Sequence, residues 1–227
     1  MNIAIIVAAG RGMRVGGERP KQFRELAGMP LIVRALLCFE ESTTIDETIA
    51  VVPAAETAGF LGFAGRYKLS KLTHVVSGGQ TRTESVWRGL QAVRAATAEV
   101  VAIHDGVRPF VKAEEIDACV RAAQDCGAAI LAVSATDTIK EIRDGKIVRT
   151  LKREDLRHAL TPQCFQYELL RRAYEHALAA QMDATDDSAL VEQLGASVAI
   201  VEGSARNIKI TRPEDFALAE MILKQGQ

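Results

Sequence analysis

The residues best suited to chemistry stand near the start of the chain. Ala8-Ala9-Gly10-Arg11-Gly12-Met13-Arg14 follows the apolar run Ile3 to Val7, and Pro20-Lys21-Gln22-Phe23 comes shortly after. Glycines at Gly10 and Gly12 let backbone N–H groups approach an anion, and Arg11, Arg14 and Lys21 bring positive charge to the same place. Small residues at a strand end beside cations make a polyphosphate site. A dinucleotide-binding loop asks for a third glycine where Val15 stands, and for an acid about 20 residues on, at the end of the next strand. That next strand, Thr48 to Val52, ends in Pro53. A P-loop closes on Gly-Lys-Ser/Thr, which is absent here. Two alternatives remain. One is a nucleotidyltransferase loop, in which glycines and a lysine wrap a nucleoside triphosphate; the other is a tight turn with solvated Arg and Lys.

Two further polar stretches follow short apolar runs. Gly78, Gly79, Arg82 and Ser85 come after His74-Val75-Val76, and Asp105 and Arg108 come after Val100 to His104. In an open α/β sheet, ligands bind beyond the carboxyl ends of the strands, so these stretches share one rim with the first loop. A carboxylate such as Asp105, opposite a phosphate-binding loop, is placed to hold Mg²⁺ against phosphate oxygens. Taken singly, Asp105 reads equally well as an Asp-Gly turn, and Arg82 and Ser85 as a helix start with a surface cation. Their convergence on one rim favours function.

The elements that position them alternate in type. Buried strands are expected at Ile3–Val7, Thr48–Val52, His74–Val76, Val100–His104 and Ala128–Val133, with helices at Pro30–Phe39, Ala55–Leu72 (weaker), Thr83–Ala96 and Ala113–Asp125. Such alternation predicts a parallel sheet with helices on both faces. The pattern breaks at residues 137–153, which read as a hairpin around Asp144-Gly145. A lone, heavily charged hairpin has no core of its own, so it packs on its own domain or on another subunit. A helix from Tyr167 to Gln181 follows, then a polar cluster at Asp183–Ser188 and a short helix to Leu194. Strands at Val198–Val201 and Asn207–Ile210 come next, then a last helix to about Lys224, opened by Thr211-Arg212-Pro213-Glu214 as a capping box. No linker or repeat divides the 227 residues, which predicts a single domain.

Composition narrows the function classes. A chain of this length buries roughly 70% of its unfolded surface and needs no covalent staples. A net charge of −1 argues against broad binding to nucleic acid or anionic lipid. Cys38, Cys119, Cys126 and Cys164 form no C-x-x-C pair, and His74, His104, His158 and His176 lack ligand spacing, so a zinc site is not expected. Reduced cysteines, no room for a signal peptide before Ile3 and no membrane-length apolar run predict a cytoplasmic protein.

Several of these stretches together resemble one enzyme family. They are Ile5 to Arg14 with Pro20-Lys21-Gln22-Phe23, Gly78-Gly79-Gln80-Thr81-Arg82-Thr83-Glu84-Ser85-Val86, His104-Asp105-Gly106-Val107-Arg108-Pro109, Thr161-Pro162-Gln163, Thr185-Asp186-Asp187 and Asn207-Ile208-Lys209-Ile210-Thr211. In order and over essentially the whole chain, they look like the 2-C-methyl-D-erythritol 4-phosphate cytidylyltransferases of non-mevalonate isoprenoid biosynthesis. The opening loop alone resembles nucleotidyltransferases in general; the combination is far more specific. One departure is Arg157-His158-Ala159-Leu160 before Thr161, where the family pattern has a Trp near Arg157 and often a Gln just before the Thr.

The resemblance implies a Rossmann-like nucleotidyltransferase fold with a protruding hairpin arm, and transfer of CMP from CTP to the polyol phosphate with release of pyrophosphate. The nucleophile is a phosphate monoester with a second pKa of about 6, so no general base is needed. By the same resemblance, Arg14 and Lys21 act on the triphosphate and the transition state, and Lys209, the third catalytic residue, supplies positive charge and a donor. Ala8, Ala9, Gly10, Gly12, Gly79 and Ser85 contact the nucleotide, with Arg82 positioning Ser85 or the ribose. Asp105, Arg108, Thr161, Thr185 and Lys209 line the polyol-phosphate side, and Asp105 holds Mg²⁺. Thr138 and Arg153, at the two ends of the hairpin, reach the site of a second subunit in a homodimer. A ribitol-5-phosphate cytidylyltransferase is the nearest alternative, and a non-catalytic nucleotide-binding regulatory protein the alternative from another class.

Overall fold

The computed structural model describes residues 1–10, 20–182 and 184–225. In chain order the elements are β1 (Asn2–Val7), β2 (Glu25–Leu26), β3 (Met29–Pro30), α1 (Leu31–Glu41), β4 (Glu47–Val52), α2 (Thr57–Arg66), β5 (Leu72–Ser77) and α3 (Arg82–Gln91). Next come β6 (Val100–Asp105), α4 (Ala113–Cys126), β7 (Ala128–Ser134), β8 (Lys140–Arg143), β9 (Lys146–Thr150) and β10 (Arg157–Gln166). The chain closes with α5 (Tyr167–Ala179), α6 (Asp187–Gln193), β11 (Ala199–Glu202) and α7 (Pro213–Gln225).

Among the described residues seven strands form the main sheet, in the order β11-β7-β10-β6-β1-β4-β5. β1 is central because both its faces are apolar, and it pairs in parallel with β4 and β6. Alternation along β1 divides the core. Ala4 and Ile6 join Ile32, Leu36, Phe39 and Val120 on the face covered by α1 and α4. Ile3 and Ile5 join Val86, Leu90, Leu170 and Tyr174 on the face covered by α3 and α5.

β10 runs antiparallel between β6 and β7 and is the element the sequence hides. A proline in a central strand would remove a ladder hydrogen bond. Pro162 avoids this by sitting where the pairing with β7 shifts register, between Ala159 and Gln163. The expected strand at Asn207–Ile210 is instead an extended loop, tied to the body by the bond from Ile210 N–H to the Val107 carbonyl at 3.0 Å. α3 stops at Gln91 rather than Ala96, closing with tight bonds from Ala92 N–H to Gly89 and from Val93 N–H to Leu90. At the start of α7 the capping acceptor is Asp215, not Glu214: its carboxylate accepts from the Thr211 hydroxyl and from the N–H groups of Thr211 and Arg212.

The hairpin β8–β9 forms a separate two-stranded sheet, as its Asp-Gly turn predicts. Asp144 and Gly145 both take positive φ, 49° and 73°, the geometry of a primed turn. Ile142, Ile147 and Val148 on it are exposed. Among the described residues no helix is long and apolar enough to cross a membrane.

A buried carboxylate fixes the turn from α1 into β4. Asp117 on α4 accepts from the hydroxyls of Ser42 (2.5 Å), Thr43 (2.5 Å) and Thr44 (2.8 Å). Burial alone would raise its pKa, but these donors outweigh it and hold the carboxyl below its ordinary range. Its contribution to stability is therefore full above about pH 5 and is lost as the pH falls below the unfolded carboxylate value of about 3.9 toward the lower folded one. Asp117→Ala should lower the unfolding free energy by about 3 kcal/mol at neutral pH. Urea titrations at pH 7 and about pH 3, below the unfolded carboxylate value, should show the gap between variant and wild type narrowing in acid.

Candidate active site

Three loops at the carboxyl ends of parallel strands are stitched to one another. Ala8 N–H donates to Val51 (2.7 Å), Gly78 N–H to Val52 (2.8 Å) and Gly106 N–H to Val7 (2.9 Å). Each strand's exit is thus held by its neighbour. The approach is close enough to require glycine. A Cβ on Gly106 would lie 2.9 Å from that of Ala8, and one on Gly78 would overlap that of Ala9. Gln22, buried behind the first loop, donates to the carbonyls of Ala8 (2.5 Å) and Gly10 (3.0 Å). It stands in the Pro-Lys-Gln-Phe stretch, but its type alone gave no sign that it would clamp the loop.

The loops enclose a cleft of about 780 Å³. Its lining includes Ala8, Ala9, Gly10 and Lys21 from the first loop, Gly79, Arg82 and Ser85 from the second, and Asp105 with Lys209. Pro53 and Thr211 also line it, positions to which the sequence assigned no role. Gly12 and Arg14 lie outside the described residues. Thr81 caps α3 by accepting from Glu84 N–H, which presents the helix start to the cleft.

Ser85 is held by backbone rather than by Arg82. Its hydroxyl donates to the Thr81 carbonyl (2.8 Å) and accepts from Gly79 N–H (3.0 Å). With one donor and two lone pairs, it keeps one acceptor position for a ligand. Arg82 instead turns to carboxylates, meeting Asp187 at 2.7 Å and Asp105 at 3.7 Å. The guanidinium–carboxylate fork takes precedence because two charge-assisted bonds outweigh one to a neutral hydroxyl.

Asp105 is surrounded by cations: Lys209 at 2.8 Å, Arg108 at 3.5 Å and Arg82 at 3.7 Å. Burial would raise its pKa, but Lys209 first, then Arg82 and Arg108, pull it well below the usual carboxylate range. The described residues do not fit a protein-held Mg²⁺. They contain no group of three or more His, Cys, Asp or Glu able to hold a metal, and this single carboxylate already faces three positive charges.

Behind Asp105, His104 is fully buried. Burial lowers its pKa to about 4, so the ring is neutral at physiological pH. The Arg108 carbonyl, 3.0 Å from Nε2, can only accept, which assigns the ring hydrogen to Nε2. Nδ1 then accepts from the Thr161 hydroxyl (2.9 Å), whose oxygen in turn accepts from Asp105 N–H (3.2 Å). Thr161 is therefore committed to supporting Asp105 and does not line the cleft. Arg108 also stands behind the wall, donating to the Asn207 carbonyl at 2.7 Å, which ties it to the loop that carries Lys209. Thr185 lies in the turn before α6. Thr138 and Arg153 are exposed at the base of the hairpin, away from this chain's own cleft, with Arg153 donating to the Thr136 carbonyl.

The cleft thus brings small-residue loops, the Ser85 hydroxyl and the Lys209–Asp105 pair into one lining. The IspD family model, 2-C-methyl-D-erythritol 4-phosphate cytidylyltransferase, matches residues 2–225. This chain belongs to that family. The cytidylyltransferase of that name from Pelotomaculum thermopropionicum is 43% identical over 226 residues, 99% of this chain and 94% of that protein. Its Geobacillus kaustophilus counterpart is 44% identical over 97% of this chain and 96% of that one. Among solved structures, the 4-diphosphocytidyl-2C-methyl-D-erythritol synthase from Anaerococcus prevotii superposes with a TM-score of 0.88 at 32% identity, covering 98% of this chain and 96% of that one.

Within this cytidylyltransferase fold the loop packing is tight enough to test. Overpacking of this kind costs about 1–3 kcal/mol. Gly78→Ala should therefore push the first loop out of place and weaken CTP binding roughly tenfold or more. Calorimetric titration of the variant against wild type checks it.

Proposed function

We propose that this chain transfers CMP from CTP to 2-C-methyl-D-erythritol 4-phosphate, giving 4-diphosphocytidyl-2-C-methyl-D-erythritol and pyrophosphate. Beyond family membership, one observation supports this most directly: one cleft is lined by the Ser85 hydroxyl, with an acceptor position open, and by Lys209 paired with Asp105. The cytosine ring fits between the loops at Ala8–Gly10 and Gly79. The one open acceptor position on Ser85 suits the exocyclic amine of cytosine and leaves the carbonyl of uracil unpaired.

In the transfer, an oxygen of the polyol phosphate attacks the α-phosphorus of CTP. A new P–O bond forms, the bond from the α-phosphorus to the bridging oxygen breaks, and the electron pair leaves with pyrophosphate. The nucleophile is already anionic at neutral pH, so the difficulty is the meeting of two anions. Lys21 and Arg14 serve the triphosphate, and Lys209 the charge that develops at the reacting phosphate. Asp105 and Arg108 hold Lys209 and its loop in place, and Thr185 borders the polyol side. No step runs through a protein-held metal; an Mg²⁺ ion would enter with the triphosphate, on its phosphate oxygens.

The hairpin completes the site of a second copy. Its exposed Ile142, Ile147 and Val148 form an apolar face on an arm without a core of its own, which supports a homodimer. Thr138 and Arg153 then bind the polyol phosphate across the interface. The domain is single, with residues 137–153 as the arm, and the protein works in the cytoplasm.

Pyrophosphate release with CTP and 2-C-methyl-D-erythritol 4-phosphate tests the activity, with ribitol 5-phosphate and UTP as controls. Turnover should require both CTP and the methylerythritol compound; preference for ribitol phosphate would move the chain to the alternative polyol. The arm is tested by mixing two inactive variants, Lys21→Ala and Arg153→Ala. Mixed dimers contain one composite site with both residues intact, so activity should return on mixing, and its absence would remove the cross-subunit role.

A further inference from the structure

Behind the cleft, outside its lining, a chain of bonds runs from the core to Arg82. Tyr174 on α5 is 1% exposed, and its hydroxyl donates to Oδ1 of Asp187. Asp187, the first residue of α6, is fully buried. It accepts from both terminal nitrogens of Arg82, Nη1 at 3.0 Å and Nη2 at 2.7 Å. The backbone of Asp187 is fixed as well: the Gln163 side-chain oxygen accepts from Asp187 N–H (3.0 Å) and Ser188 N–H (2.9 Å), and its amide donates to Asp186 (2.9 Å). With one N–H of each terminal nitrogen given to Asp187, the guanidinium plane is fixed, and its Nε side faces Asp105 at 3.7 Å.

We propose that Tyr174 and Asp187 are positioning residues for the transfer reaction. The Tyr174 hydroxyl sets the plane of the Asp187 carboxylate. That plane sets the Arg82 fork, and Arg82 so held keeps Asp105 turned toward Lys209 at the end of the cleft. The inference rests on the transferase function proposed above. A tyrosine present for its apolar bulk alone would be equally served by phenylalanine. Here the hydroxyl is carried into the core and meets a carboxylate already paired with arginine, a costly arrangement unless orientation matters. Trp87, the single tryptophan, stacks on Tyr174 with ring centroids 6.4 Å apart at 12°, so its emission reports whether the ring stays in place.

A double-mutant cycle separates positioning from packing. Tyr174→Phe keeps the ring and its stack on Trp87. Arg82→Lys keeps the positive charge but loses the fork. Tyr174→Phe alone should lower kcat/KM for pyrophosphate release about tenfold, the size expected for a lost hydrogen bond to a charged group. Trp87 emission should stay close to wild type, and Tm should fall by only a few degrees, leaving the chain folded under assay conditions. In the Arg82→Lys background the same change should lower kcat/KM less than about twofold, because the group it acts through is already gone. Equal losses in both backgrounds, or no loss from Tyr174→Phe alone, overturn the proposal. Asp187→Asn takes the place of Tyr174→Phe in the cycle if the latter fails to fold, with the same expectation. A wild-type chain that releases no pyrophosphate overturns the transferase function, and this proposal with it. An active wild type with additive losses overturns this proposal alone.

Discussion

The site depends on one buried carboxylate placed among three cations. Lys209, Arg108 and Arg82 come from three separate parts of the chain, and without Asp105 between them they would repel one another. Asp187 takes up part of the Arg82 charge, so three cations against two carboxylates leave one net positive charge at the end of the cleft. A field arranged in this way exists before any phosphate arrives and needs no reorganisation during reaction. Lys209 is the most exposed of the three, with 42% of its side chain open to solvent against 25% for Arg82 and 11% for Arg108, and so is the best placed to meet an incoming anion.

The architecture explains why these groups meet where they do. Parallel pairing of β4, β1 and β6 brings three strand exits to one rim, and each exit is bonded to the strand beside it. Small residues at those exits follow from the spacing of the loops, since a Cβ on Gly78 or Gly106 would strike Ala9 or Ala8. Gly78 and Gly106 are thus required by the packing of loop on loop, whereas a Cβ on Gly10 would meet nothing within 4 Å.

Much of this was legible in the sequence because periodicity and turn chemistry act locally. The buried runs at Ile3 and Val100 and the Asp-Gly hairpin form as their residue types predict. What stayed hidden depends on distant partners. β10 carries Pro162 and lacks a clean alternation, so only its place between β6 and β7 makes it a strand. Lys209 lies in a loop, not a strand, because the neighbouring Ile210 is satisfied by a single bond to Val107. The pairing of Arg82 with Asp187 spans 105 positions, and no spacing rule reaches that far.

β10 has a consequence for the chemistry that the parallel strands could not supply. An antiparallel strand inserted between β6 and β7 runs back past the site from the opposite direction. It sets Thr161 under Asp105 N–H and, one turn of the pleat later, Gln163 against the start of α6. The same short segment therefore supports both carboxylates that Arg82 joins. Asn207 adds a third tie by donating to the Thr161 carbonyl at 2.8 Å, which links the Lys209 loop to that strand. The cationic end of the cleft is thus held from behind by one irregular stretch of backbone. A displacement of Thr161–Gln163 would therefore move Asp105, Asp187 and the Lys209 loop together, and the register shift in β10 falls in this same segment.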